Sequence, residues 1–161
     1  MTSPEVLWRT TTASAADTER LGAEVGRLLG PGDGVALKGE LGAGKTVFVR
    51  GLGRGLGIDD PEDIRSPTYL LMIEHPGPTP LLHMDAYFAE RSQDLLADGG
   101  EAYLVEGGVL AVEWADRLRM TLPEAFLQVE LAHLPEGGRT VRFRGDPGIW
   151  GPKVTKLLRQ S

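Results

Sequence analysis

Residues 6–12 pass from apolar to polar through a run rich in β-branched side chains, which predicts a strand. Ser14 stands as a candidate N-cap, and Leu21, Val25, Leu28 and Leu29 recur at helical spacing, which predicts a helix over about 15–29. Gly30-Pro31-Gly32-Asp33-Gly34 then breaks the chain. The apolar run 35–38 predicts a short strand, 39–44 a glycine-rich turn, and 45 to about 56 a helix with Phe48, Leu52 and Leu56 on one side. Gly51, Gly53 and Gly55 each cost about 1 kcal/mol relative to Ala inside a helix, so packing rather than propensity must hold it. Further strands are predicted over 69–74, 81–85, 109–113, 126–133 and 140–143, where Arg142 alternates with Val141 and Phe143 as on a sheet with one wet face. Helix and loop are predicted over 95–105, broken by Gly99-Gly100, and a closing helix over 150–160 with Val154, Leu157 and Leu158 inward. Strands followed by helices early and hairpin-like strands late point to an α/β fold. The expected sheet is mixed, with a parallel centre and antiparallel strands toward the C-terminus, flanked by helices.

A chain of 161 residues without repeats, low-complexity tracts or long linkers is expected to form one domain over 1–161. It has no cysteine, which removes disulfides, thiolate nucleophiles and Cys-based zinc sites and suits the cytoplasm. The segment Met1-Thr2-Ser3-Pro4-Glu5 has neither the basic start nor the apolar stretch of a signal peptide. No apolar run approaches the roughly 20 residues that a membrane helix requires. With 23 acids against 17 bases the net charge is −6, a poor balance for a general binder of polyanions. Arg139, Arg142, Arg144, Lys153, Lys156 and Arg159 make the C-terminal third locally basic, which reads as a solvated strand face and helix.

Gly39-Glu40-Leu41-Gly42-Ala43-Gly44-Lys45-Thr46 satisfies the GxxxxGK[ST] pattern in full, with an apolar strand before it and a helix after it. Glycines let the backbone curl until successive N–H groups point at phosphate oxygens, and the helix N-terminus adds a favourable dipole. In such a loop Lys45 would bridge the β- and γ-phosphates of ATP, and the Thr46 hydroxyl would coordinate Mg²⁺. Two apolar strands end in an acid, at Asp85 and at Glu113. Either carboxylate would lie beside the loop at the C-terminal edge of a sheet, where α/β folds bind ligands, and spacing alone does not rank them. His83 shares a strand face with Asp85 and reads as a hydrogen-bonded structural residue. Ser66-Pro67-Thr68-Tyr69 falls between the loop's helix and the next strand, the position of a switch segment.

Together, the segments Gly39–Thr46, Ser66-Pro67-Thr68-Tyr69, His83-Met84-Asp85-Ala86-Tyr87 and Val112-Glu113-Trp114 resemble the TsaE (YjeE) family, over about residues 6–131. These are P-loop ATPases of bacterial tRNA threonylcarbamoyladenosine biosynthesis. The resemblance implies that Thr46 and Glu113 are magnesium ligands and that Ser66, Thr68 and Tyr69 form a switch-like segment. It further implies that Asp85 supports hydrolysis while His83, Tyr87 and Trp114 help shape the site. It implies the TsaB and TsaD proteins as partners, modification of adenosine 37 in tRNAs that read codons starting with adenine, and an ATPase cycle that resets the complex. The chain departs from the family's usual pattern at Glu40, where Asp is usual, and at Phe88, where Arg is usual.

The expectation is a slow, partner-dependent Mg²⁺-ATPase with Lys45, Asp85 and Glu113 as catalytic residues. Few arginines stand near the motifs in sequence, and Arg117 and Arg119 read as a solvated helix, so a partner would complete the site. ATP is favoured over GTP because the guanine-reading Asn-Lys-x-Asp motif cannot exist in a chain without asparagine. Residues 10–14 are candidates for contact with the adenine. A small-molecule kinase and a non-catalytic nucleotide sensor are the competing classes. With no basic tract interleaved with aromatics, direct contact with tRNA is expected only through the complex.

Overall fold

The computed structural model describes residues 5–40, 42–65, 72–87, 106–117 and 125–160. Ten regular elements follow one another there: β1 (Glu5–Thr12), α1 (Ala15–Gly26), β2 (Gly34–Lys38), α2 (Lys45–Leu56), β3 (Met72–His75), β4 (Leu81–Asp85), β5 (Val109–Glu113), β6 (Leu127–His133), β7 (Arg139–Gly145) and α3 (Pro147–Gln160). The strands form one sheet in the order β1-β7-β6-β2-β5-β4-β3. β4, β5, β2 and β6 run parallel, while β3 on one flank and β7 and β1 on the other are antiparallel to their neighbours. The expected mixed α/β sheet with a parallel centre is what forms, and antiparallel pairing occurs at both flanks rather than only toward the C-terminus. β1 carries an irregularity between Val6 and Trp8 before its register with β7 resumes.

The larger core lies between the helices and one sheet face. Leu21 and Val25 of α1, Phe48 and Leu52 of α2, and Trp150, Val154 and Leu157 of α3 pack there against Val35, Leu37, Val109, Val129, Val141 and Phe143. The Leu158 side chain lies outside the description. On the opposite face a second core of Ala36, Leu82, Met84, Leu110, Val112 and Phe126 backs β2, β5 and β4. Past β2 that face turns polar: Glu130 pairs with Arg144 at 2.9 Å and Arg142 at 3.6 Å, the wet surface that alternation in β7 predicts.

α1 starts where Ser14 accepts the Asp17 amide at 3.1 Å, while the Asp17 carboxylate accepts the Ala13 amide, so two end donors are satisfied reciprocally. It ends at Gly26, three residues before the predicted stop. Leu28 and Leu29 donate instead to the carbonyls of Val25 and Gly26, in three-residue turns that tighten the exit. α2 has the predicted extent, and its glycines show what holds it. A methyl on Gly51 would sit 2.1 Å from the Glu19 carbonyl oxygen, and one on Gly22 would sit 2.3 Å from that of Phe48. The glycine pairs Gly22/Gly26 and Gly51/Gly55, each four apart, face one another and bring the two helix backbones together. α3 begins at Pro147, earlier than predicted, because Asp146 accepts the Gly148 amide at 2.8 Å and proline fits the first helical position. The predicted elements over 95–105 and 69–71 lie outside the described residues. No helix among the described residues is long and apolar enough to cross a membrane.

Candidate active site

β2 delivers the chain into the glycine-rich loop at the C-terminal edge of the parallel strands. Gly39 and Gly44 take φ of +155° and +102°, and a Cβ at Gly39 would lie 2.6 Å from the Leu131 carbonyl oxygen. Gly44, which has no side chain, is the N-cap of α2, so the cap position leaves the first-turn N–H groups available to an anion. Leu41 lies outside the described residues.

Lys45 opens α2 and is only 5% exposed. Its Nζ donates to the carbonyl oxygens of Gly39 at 2.5 Å and Glu40 at 2.9 Å, and stands 3.8 Å from the centre of the Trp114 ring. Burial lowers its pKa from the ordinary lysine value, while the carboxylates of Glu113, Asp116 and Asp85 pull it back upward.

The two strand-end acids are Cα partners, Asp85 on β4 beside Glu113 on β5, and both are almost wholly buried. They differ in what they touch. Thr46 Oγ1 stands 2.9 and 3.0 Å from the two oxygens of Glu113 and donates its proton to that carboxylate. His83 Nε2 bonds the same carboxylate from the other side, while His83 Nδ1 is buried without a partner among the described residues. Asp85 Oδ1 accepts the Tyr87 amide at 2.8 Å. The His83–Glu113 bond agrees with the expected structural histidine, with its anchor on β5 rather than on its own strand.

Directly after Glu113, Trp114 takes φ of 58°, the one non-glycine residue at positive φ among those described. That turn lays its ring under Lys45 and edge-on to Tyr87, 5.3 Å between centroids. Arg117, in the turn Ala115–Arg117, stacks 4.2 Å over Tyr87 and 5.0 Å from Trp114. It is therefore engaged with the site's aromatic wall, a contact that the solvated-helix reading did not anticipate. Arg119 lies outside the described residues.

The fold thus gathers Lys45, Thr46, His83, Asp85, Tyr87, Glu113 and Trp114 at one sheet edge. Ser66, Thr68, Tyr69 and Phe88 lie outside the described residues. Sequence reasoning left Arg139 among the basic residues of the C-terminal third. The β6–β7 hairpin carries it to the glycine-rich loop, where it donates to the carbonyl oxygens of Ala43 at 3.1 Å and Gly42 at 3.0 Å. The expectation of few arginines near the motifs holds along the chain and not in space. No spacing rule could reveal a contact across 97 positions.

A family model described as "Threonylcarbamoyl adenosine biosynthesis protein TsaE" matches residues 12–141. The chain belongs to the TsaE family. It is 41% identical over 133 residues to a Treponema pallidum tRNA threonylcarbamoyladenosine biosynthesis protein TsaE, covering 83% of this chain and 97% of that one. The Bacillus subtilis protein of the same name is 36% identical over 141 residues, covering 86% and 85%. The crystal structure of Bacillus subtilis YdiB superposes with a TM-score of 0.79 at 26% identity, over 99% of each chain. The likeness to TsaE proteins drawn from four short motifs therefore extends across the glycine-rich loop, both strand-end acids and Arg139.

Proposed function

We propose that this chain, acting as one P-loop domain over 1–161, hydrolyses ATP in the threonylcarbamoyl modification of adenosine 37 in tRNAs reading codons that start with adenine. It would work in the cytoplasm with the TsaB and TsaD proteins, reset that complex by hydrolysis, and meet tRNA only through it. The observation that carries the reading is the contact of Thr46 with Glu113, which joins the end of the phosphate loop to a strand-end carboxylate 67 positions away. It favours Glu113 over Asp85 as the acid nearest the metal.

A hydroxyl and a carboxylate within 3.0 Å of each other form a hard oxygen donor set that suits Mg²⁺. Thr46 and Glu113 would hold the ion, which when bound offsets charge on the phosphate oxygens. The loop amides and the Lys45 ammonium bind and orient the β- and γ-phosphates. His83 fixes the Glu113 carboxylate from behind. Asp85 orients a water whose oxygen attacks the γ-phosphorus as the bond to the bridging oxygen breaks, and takes up the proton released. ADP and inorganic phosphate result.

The test is nucleotide binding and phosphate release by the unmodified chain, Lys45→Ala and Glu113→Gln, with and without TsaB and TsaD. Lys45→Ala is expected to lose binding, and Glu113→Gln to lose the gain that Mg²⁺ gives. Full turnover by Lys45→Ala would remove the assignment. Phosphoryl transfer to a metabolite in place of water would favour a kinase, and release of unchanged ATP in every condition a sensor.

A further inference from the structure

Amide N–H groups that converge on phosphate leave the carbonyls of the same peptides pointing outward, where something must hold them if the curl is to persist. In this chain the holder is Arg139. Its Nε donates to the Ala43 carbonyl oxygen at 3.1 Å, its Nη2 to that of Gly42 at 3.0 Å, and its Nη1 to that of Gly138 at 2.7 Å. One planar guanidinium therefore spans the middle of the glycine-rich loop and the turn from which Arg139 itself springs. That turn is anchored in its own right: Gly138 sits at φ of +83° with no room for a Cβ, which would fall 2.5 Å from the Thr12 carbonyl oxygen. The loop is thus braced by a β-hairpin whose tip is fixed against β1. A lysine could supply the charge but not a fork that reaches both carbonyls.

We propose that Arg139 is a positioning residue for nucleotide binding, holding Gly42 and Ala43 in the curl that turns the loop's amides toward phosphate. This rests on the reading of the loop as a triphosphate site. It assigns Arg139 no contact with the nucleotide and no part in the chemical step.

The experiment measures Kd for ADP and ATP with Mg²⁺ by calorimetry on the full chain, unmodified and as Arg139→Gln, Arg139→Lys and Arg139→Ala. The Arg139→Ala chain is titrated again with guanidinium chloride held far below denaturing levels. Melting temperatures are taken without nucleotide. Two charge-assisted hydrogen bonds to the loop correspond to about a 100-fold rise in Kd for Arg139→Gln. Arg139→Lys is expected to lose most of the same affinity, and free guanidinium to recover part of it in Arg139→Ala. Melting temperatures should stay close to that of the unmodified chain. Unchanged Kd in Arg139→Gln, or full affinity in Arg139→Lys, would overturn the proposal while leaving the ATPase reading intact. A fall in melting temperature with affinity retained would do the same, since Arg139 would then be merely structural. No nucleotide uptake by the unmodified chain would overturn the ATPase reading, and this inference with it.

Discussion

Glycine-to-alanine substitution at the seam between α1 and α2 and at a helix position away from it should have different outcomes. In Gly51→Ala the new methyl would start 2.1 Å from the Glu19 carbonyl oxygen, 2.8 Å from Gly22 Cα and 2.9 Å from the Ala23 nitrogen. The nearest ordinary carbon–oxygen approach is about 3.3 Å, so the helices must part by roughly 1 Å. All three obstacles are backbone, and no rotamer change relieves them. A gap of that size forfeits a quarter to a half of each dispersion contact across the seam. Overpacking of this kind costs about 3 kcal/mol at the upper end, against about 1 kcal/mol regained in helix propensity. The net loss of about 2 kcal/mol corresponds to a fall of about 4–8 °C in melting temperature for a chain of this size. In Gly151→Ala, inside α3, the methyl meets nothing within 4 Å. Pro152 follows directly, and its ring disfavours a helical residue that carries a Cβ before it, which offsets the propensity gain of about 0.5–1 kcal/mol and leaves the melting temperature within about 2 °C of the unmodified chain. Thermal melts followed by circular dichroism read both variants. Because α2 begins with Lys45 and Thr46, Gly51→Ala should also weaken ATP binding, whereas Gly151→Ala should not. If Gly51→Ala melts as high as Gly151→Ala, the claim that backbone contact sets the helix spacing is wrong.

Acid should destabilise the fold partly through His75, whose pKa is lowered by burial first and by His83 second, against a weaker opposing pull from Asp63. A lowered histidine pKa means that the unfolded chain binds more protons, so this contribution is full above the ordinary imidazole value of about 6.5. It is lost as pH falls toward the folded value. His75→Gln should flatten the pH dependence of urea midpoints in that window, and an unchanged slope would refute the assignment. Trp114, 3.8 Å from the Lys45 ammonium, should report nucleotide binding by a change in tryptophan fluorescence that Trp114→Phe abolishes. A signal that survives in Trp114→Phe would have to arise from Trp8 or Trp150.

The elements read with their full bounds from sequence, β4, β5 and α2, are those where punctuation and burial coincide. Each strand is an apolar run closed by an acid, and α2 is opened by the loop that precedes it. The start of α3 was legible in the Asp146-Pro147 pair, an N-cap before a proline, although Gly148 directly after it weakens the helical signal. The glycine pairs were legible too, as i, i+4 repeats in two neighbouring helices, although sequence could not say that they meet. What sequence cannot hold is cross-chain geometry. The ranking of Glu113 over Asp85 depends on which strand lies beside Thr46, and that follows from the sheet order. Arg139 and Arg117 reach the site through a hairpin and a turn that no local pattern connects with the loop.

The irregularity near the start of β1 matters beyond the site. β1 and β3 are the outer strands of the described sheet, and such strands present unpaired amides on which another copy could build a continuous ribbon. Among the described residues β3 offers four for such pairing. In β1 the shift between Val6 and Trp8 interrupts the even spacing that a docking strand would need, and Arg9 places an exposed charge immediately beyond it. The sheet that sets a glycine-rich loop beside two acids is thereby discouraged from pairing edge to edge with another copy of itself.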